Sequence, residues 1–393
     1  MTPFSEYINV FLIFLPLVFA LQLLTYKNAY SKPNRILGVY MIILSFYYLL
    51  NKIILLDIEF LITINALLVL PIFLAFNPFY YLYVQSLTNE SFSFKPKHIL
   101  HYLPSFILFL FLLILSFMSR NQEFQSQTEL LFKLRVPVAV SIYYIQVITY
   151  IIGMIILLNK HKKNLDQFFS YKENISLNWL WLFIIIYILF TTFDAAVYFT
   201  HIFDAYYKLT YWVLMTLFVV FLGYFGTKQA DIYVGKIKIL NKGDDDAPDT
   251  IIETNLLNDV APEAVEDDKS LKYGRSSLAN EQKEMILQSI VELMEKEKLF
   301  CNPHLVVDHL AERIHTNKKY ISQVINEKLG KNFYQFVNEY RVQHVISMLE
   351  DEKFNNYTLE AIGDMAGFNS RSSLISSFKK ITGKTPSDYK KFH

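Results

Sequence analysis

Seven apolar stretches fill the first 225 or so residues, at about 4–25, 35–56, 60–86, 99–118, 136–158, 177–200 and 207–226. A helix of roughly 20 apolar residues crosses the hydrocarbon core of a bilayer, and backbone groups in lipid must pair within their own segment. The sequence therefore predicts seven membrane-spanning helices. The third stretch contains Pro71, Asn77 and Pro78, so it is expected to kink or break. Glu6 is the first charge, no basic region precedes the first stretch, and further spans follow it, so that stretch is not expected to be a cleaved signal. Only 19% of the 393 residues are charged, most of them after residue 225; the net +1 thus averages two unlike parts.

Orientation follows from lysine and arginine in alternate loops. One set of loops holds Lys27, Lys32, Arg35, Lys95, Lys97, Lys160, Lys162, Lys163 and Lys172; the other holds Lys52, Arg120, Lys133, Arg135 and Lys208. The richer set lies on the side of the C-terminus, where Lys228, Lys236 and Lys238 add to it. This predicts an outside N-terminus and a cytoplasmic C-terminal part in a bacterial inner membrane.

Within the spans, Asp194 is the one acidic residue well inside a predicted helix. A carboxylate in lipid is costly, so it should face the bundle interior or a water-filled cavity, with Gln22, Asn65, Gln146 and His201 as candidate partners. Asp194 and His201 are the candidate ligand- or proton-sensing residues; alternatively the sixth span ends early and Asp194 lies at the outer interface beside His201 and Asp204. Trp179, Trp181, Tyr206, Tyr207, Tyr211 and Trp212 sit near span ends, which suits an interfacial aromatic belt, an aromatic ligand cage being the alternative. Glycines are few, and no Gly-x-x-x-Gly stripe marks a packing face. No haem, quinone or metal pattern is present, and the single Cys301 excludes an intramolecular disulfide framework or a Cys-cluster zinc site.

Residues 228–240 suit a short helical extension of the last span. Residues 241–270 are rich in aspartate and glutamate, with Pro248 and Pro262, and predict a disordered tether: a plain spacer, or an autoinhibitory segment. Beyond it, a helix starts near Asn280. Leu305–Ile314 and Lys318–Lys328 then form a helix-turn-helix, with His315-Thr316-Asn317 as the turn and Asn317 as cap. The open face of the second helix carries Lys318, Lys319, Ser322, Gln323 and Asn326, side chains suited to base edges and phosphates in a major groove. A longer helix, about 333–350, follows as a rod. The second unit repeats the pattern. Thr358 caps a helix with Gly363 at the crossing, Gly367 supplies positive φ, and Asn369 or Ser370 caps a helix with Leu374, Phe378 and Ile381 packed. Its open side carries Arg371, Ser372, Ser376 and Lys379.

Gly367-Phe368-Asn369-Ser370, then Phe378-Lys379-Lys380 and Thr382-Gly383-Lys384-Thr385-Pro386-Ser387-Asp388-Tyr389, resemble the C-terminal signature of the AraC/XylS family of transcriptional regulators. The match covers about 300–393, and the multi-span N-terminal part resembles the membrane-bound members of that family. The resemblance implies two helix-turn-helix subdomains placing recognition helices in successive major grooves. By position, Lys319, Ser322 and Gln323 contact bases in the first, and Arg371, Ser372 and Ser376 in the second. His315 stands where glycine is frequent, and Val306 where a capping Ser or Thr is common. From Lys272 on, the charge is only about +3, so modest affinity from one copy is expected.

The sequence thus predicts an all-α chain: a seven-helix transmembrane bundle (1–228), a juxtamembrane segment and acidic linker (229–271), and a cytoplasmic all-α domain with two helix-turn-helix subdomains (272–393). The function expected is a membrane-embedded one-component transcriptional regulator. Its expected partners are promoter DNA, the lipid bilayer, a second copy on DNA, RNA polymerase and a small-molecule or membrane signal. No catalytic residue, cofactor or metal is assigned, since no Gly-rich phosphate loop, zinc-ligand or nucleophile motif occurs. Two alternatives stand beside it: a transporter or receptor with a regulatory helix-turn-helix domain, and a protein-interaction module that has lost DNA binding.

Overall fold

The computed structural model describes residues 3–25, 31–53, 56–89, 92–119, 125–173, 175–200, 204–241 and 280–392. These are helical throughout, with no β-strand among them beyond an isolated bridge between Phe169 and Val306. Two compact units form: one from the described residues of 1–158 and 177–261, the other from those of 159–176 and 262–393. The acidic tether predicted at 241–270 falls outside the described residues, apart from Asn241.

The first unit contains α1 (Pro3–Thr25), α2 (Ser31–Ile53), α3 (Glu59–Thr88), the single-turn α4 (Pro96–Ile99), α5 (Leu103–Met118), most of α6 (Gln125–Phe168), α7 (Asn178–Thr200) and α8 (Asp204–Asn241). Six of its helical segments are long and apolar enough to cross a membrane, and α1 contributes a shorter one at Val10–Thr25. Of the expected kink or break in the third stretch, the break does not occur: α3 is one 30-residue helix with Pro71 and Pro78 inside it. Each proline removes one amide donor; Pro71, Asn77 and Pro78 are all buried, so neighbouring helices hold the segment. The fifth stretch also differs. Lys160, Lys162 and Lys163, read as loop residues, continue α6 for ten residues beyond 158. Residues 228–240 do prolong α8, which runs to Asn241.

This unit's polarity is that of a bundle with an apolar exterior. Along α6, Ile145, Ile148, Ile152 and Ile156 share one face and are each more than half exposed. Similar residues line the outside of α1, α5 and α7, among them Phe14, Leu21, Phe106, Ile114, Ile185 and Leu189. An exposed apolar surface this extensive needs a cover other than water. Inside, the core is rich in tyrosine and phenylalanine, including Tyr40, Tyr80, Tyr143, Phe183 and Tyr187. Although no Gly-x-x-x-Gly stripe is present, Gly223 and Gly226 on α8 are close-approach points. A Cβ at Gly223 would lie 2.4 Å from the Phe19 ring, and one at Gly226 would lie 2.4 Å from Leu37.

The second unit contains the end of α6 with the segment to Ser176, then α9 (Asn280–Glu295), α10 (Val307–Ile314), α11 (Lys318–Leu329), α12 (Phe333–Glu350), α13 (Leu359–Met365), α14 (Arg371–Thr382) and α15 (Pro386–Phe392). Local chemistry sets its helix ends. Asn317 Oδ1 accepts from Lys319 N (2.9 Å), Thr358 Oγ1 from Ala361 N (3.1 Å), and Ser370 Oγ from Ser373 N (3.2 Å). Ser370 is therefore the cap left open between it and Asn369. Val306, which has no oxygen to offer, starts α10 uncapped, while His309 Nδ1 accepts from its amide (3.4 Å). His315 takes the left-handed conformation (φ 55°) required by the turn.

Two cores fill this unit. Ile290, Leu310, Ile321, Ile325 and Phe336 belong to one; Val345, Ile362, Phe368, Leu374 and Phe378 belong to the other. The rod helix α12 serves both, through Val337 on one side and Val342 on the other. Ile381 is 37% exposed rather than packed, and Ser377 takes the inward position on α14. Gly363 lets α13 and α14 cross, since a Cβ there would lie 3.0 Å from Leu374. Gly367 is more tightly constrained: φ is +89°, and a Cβ would stand 2.4 Å from the Phe300 carbonyl oxygen. Gly367→Ala should therefore cost about 2 kcal/mol or more of local stability. In the full chain this should appear as roughly thirtyfold faster amide hydrogen exchange in α13 and α14; unchanged exchange would contradict the steric reading.

Candidate nucleic-acid interface and bundle cavity

The two helix-turn-helix subdomains place their second helices, α11 and α14, with their apolar faces in the two cores. Lys319 and Asn326 on α11, and Arg371, Ser372, Ser376 and Lys379 on α14, are exposed. These are donors and acceptors of the kind that reads base edges and phosphates. Lys318 is engaged differently: its Nζ pairs with Asp308 at 3.0 Å and is half-buried. Ser322 and Gln323 are also half-buried; Gln323 Nε2 donates to Glu327 Oε1 (2.8 Å), while Glu327 Oε2 pairs with Lys283 Nζ (2.9 Å).

A side chain that the sequence reading passed over organises the middle of this unit. Arg341 is 1% exposed. Its Nε donates to Phe300 O (2.8 Å) and its Nη2 to Asn302 O (2.8 Å) and Ser170 Oγ (2.9 Å); its Nη1 donates to Ser170 O (3.0 Å). The planar fork of a guanidinium can serve four such acceptors at once, whereas an ammonium cannot. Burial pulls its pKa down to about 10, opposed chiefly by the Glu173 carboxylate, so the group remains a cation at neutral pH. Asn338, one turn earlier on α12, also donates to Ser170 O (3.2 Å). Arg341 breaks the apolar stripe of α12, and that break was the available signal for it. The opposite partners at 169–173 lie far away in the chain, so no local pattern links them to it.

The first unit holds a cavity of about 470 Å³. Its lining is largely aromatic, with Tyr47, Tyr80, Tyr143, Tyr187 and Tyr211, and includes Asp194, Asn77 and Lys52. Asp194 lies within α7, which continues to Thr200. Tyr144 Oη donates to Asp194 Oδ2 at 3.3 Å. Of the expected partners, Gln22 is exposed, Asn65 Nδ2 donates to the Leu50 carbonyl, and His201 lies outside the described residues. Tyr187 donates to Asn77 Oδ1, while Asn77 Nδ2, on a residue 1% exposed, has no partner among the described residues. Tyr211 and Trp212 line this cavity, as the alternative of an aromatic cage has it, and Trp179 stacks on Phe225.

With this geometry in place, comparison with known proteins identifies the second unit. The profile of a family described as a helix-turn-helix domain matches residues 310–391. The HTH-type transcriptional regulator YtdP of Bacillus subtilis is 27% identical over 112 residues, 28% of this chain and 14% of that protein. An HTH-type transcriptional regulator of Staphylococcus aureus is 31% identical over 96 residues, 24% of this chain and 12% of its own length. The chain thus spans about one-seventh or less of these relatives. Among solved structures, a Listeria innocua protein of unknown function is 26% identical, with TM-score 0.24, covering 28% of this chain and 97% of that one. The C-terminal domain of AraT, a response regulator from Geobacillus stearothermophilus, is 20% identical, with TM-score 0.25, covering 30% and 89%. The C-terminal part of the chain is an AraC-type helix-turn-helix domain of the kind found in transcriptional regulators.

Arg341→Met should leave the Phe300 and Asn302 carbonyls without this donor, and the Ser170 carbonyl with Asn338 alone. Loss of so connected a buried cation costs about 3 kcal/mol or more. Hydrogen exchange in the full chain should show α12 and the Ser170 amide losing protection together, and Arg341→Lys should fail to restore it. Wild-type protection in either variant would remove Arg341 from its organising role.

Proposed function

We propose that the chain is a membrane-embedded one-component transcriptional regulator: a signal met in the bundle sets the DNA binding of the AraC-type domain. The observation that carries this reading is one chain joining an AraC-type helix-turn-helix domain to helices whose outward faces are apolar. Lipid is the cover that such faces require. Residues 159–176, assigned to the cytoplasmic side by their lysines, fold into the same unit as 280–392; this supports a shared side for both. The bacterial inner membrane, with the C-terminal domain in the cytoplasm, satisfies the charge asymmetry and gives that domain access to DNA.

In this reading Lys319, Ser322, Gln323, Asn326, Arg371, Ser372, Ser376 and Lys379 form the DNA-contacting set, with Lys318 joining it on leaving Asp308. A second copy on a repeated site compensates for the small positive charge of the domain, and RNA polymerase is the natural further partner of a bound activator. The signal site is the aromatic cavity. It suits a small, largely apolar molecule with a polar head, to which Asp194 and Lys52 offer one charge of each sign and Asn77 a free amide donor. Such a ligand would act by favouring one of two packings of the bundle.

Two measurements test this. The detergent-solubilised full chain should enrich shared repeated sites from fragments of its host's genomic DNA. On such a site Lys319→Ala and Arg371→Ala should each weaken binding by roughly tenfold to a hundredfold, relaxing preference at individual base pairs. Failure of a folded chain to enrich any site would overturn the DNA-reading conclusion. In cells carrying a reporter behind that site, Asp194→Asn should abolish the response to signal while leaving DNA affinity in vitro unchanged; an intact response would exclude Asp194 from sensing.

A further inference from the structure

The segment that leaves α6 lies across the DNA-reading side of the second unit. Gln167 and Phe168 at the end of α6 line a recess of about 260 Å³ together with Lys319, Ser322, Gln323 and Asn326, four of the residues offered to DNA by α11. Phe168 also packs against the first core. Phe169 bridges Val306, and the Ser170 amide donates to Leu305 O (3.2 Å). Ser170, 1% exposed, receives Arg341 on its carbonyl and hydroxyl. Lys172 Nζ sits 4.3 Å from the centre of the Tyr334 ring. Glu173 Oε1 accepts from Ser370 Oγ (3.3 Å), the cap of α14. One short stretch therefore shares a recess with the open face of α11 and hydrogen-bonds the middle of α12 and the start of α14.

We infer that residues 167–173 form an intramolecular plug that docks on the double helix-turn-helix domain and must leave before both recognition helices can enter DNA. The inference rests on the DNA-reading conclusion above. Two physical features point to competition with DNA. Gln167 and Phe168 form a wall of the recess that Ser322 and Gln323 line, which narrows access to these two residues. Glu173 sets a carboxylate at the N-terminus of α14, a position favourable to an anion and one that a DNA phosphate would otherwise take. The plug is also continuous with the signal site: α6 carries Tyr144, hydrogen-bonded to Asp194, and the same helix ends at Phe168. This assigns to the α6–α7 segment the restraint that an acidic linker would otherwise have supplied.

The test locks the plug and then frees it. Phe169→Cys and Val306→Cys, introduced together with Cys301→Ala into the full chain in lipid nanodiscs, face each other across the bridge and should oxidise to a disulfide. The probe is random-sequence duplex DNA long enough for two successive major grooves, at one fixed salt concentration. The oxidised chain should bind it at least about tenfold more weakly than the same chain after reduction, as expected when the competent population falls by that factor. Conversely, Phe168→Ala with Glu173→Ala should raise affinity above wild type and expose the Ser170 amide to hydrogen exchange. Equal binding before and after reduction, or failure of the disulfide to form, overturns the plug while leaving the DNA-reading conclusion intact. Absence of binding by the reduced chain and by wild type alike overturns that conclusion, and the plug with it.

Discussion

A buried cation with its acceptors arranged around it holds the second unit in register. Arg341 lies on α12 between the stretch that serves the first core and the stretch that serves the second, so its guanidinium sits at the joint between the two helix-turn-helix subdomains. Removing a charge from water is costly unless every donor is used. Here the carbonyls of Phe300 and Asn302 come from the turn before α10, and Ser170 comes from a segment more than a hundred residues upstream. The bond set thus ties together the first subdomain, the rod helix and the end of α6. The packing of Gly367 against the Phe300 carbonyl draws the second subdomain to the same turn, where a side chain of any size would separate them.

The first unit follows the opposite rule. Its outward faces are largely apolar, and several of its polar groups, among them Asn77 and Gln146, are buried. Tyrosine is the residue that makes this workable: each ring fills volume like phenylalanine, while the hydroxyl pairs with another tyrosine, an asparagine or a carboxylate, as in Tyr40–Tyr80, Tyr187–Asn77 and Tyr144–Asp194. The cavity is walled by such rings, and Asp194 within α7 lines it and accepts from Tyr144.

Much of this was legible in the sequence, for reasons that vary by element. The helix-turn-helix elements were readable because their signals are local. Asn317, Thr358 and Ser370 cap helices from within three residues; His315 and Gly367 mark positive φ; and the apolar spacing of α12 sets its length to the residue. The reciprocal box between Asn332 and Gln335, which starts α12, was present in the same way (2.9 and 3.1 Å) and went unread. Errors arose where apolar content alone was used to end a helix: α6 continues through Lys160, Lys162 and Lys163 because helical propensity does not stop where hydrophobicity does. Prolines in α3 predicted a kink or a break, and the helix is continuous, with both prolines buried. The nine candidate DNA-contacting positions were each located correctly on α11 and α14, but their present partners, Asp308 for Lys318 and Glu327 for Gln323, depend on helices packed alongside.

The sequence by itself determined the two kinds of material in this chain: long apolar helices in the first part, capped and turned helices of a helix-turn-helix domain in the last. Periodicity, caps and glycine positions act over a few residues, and those suffice for secondary structure and for the identity of the domain. Tertiary structure alone decided three things: that Tyr211 and Trp212 turn inward to a cavity with Asp194, that Arg341 is the joint of the second unit, and that residues 167–173 lie against the recognition helices. Each depends on a pairing between distant stretches whose partners are chosen by shape and by the need to satisfy buried polar groups, a constraint that no local pattern encodes.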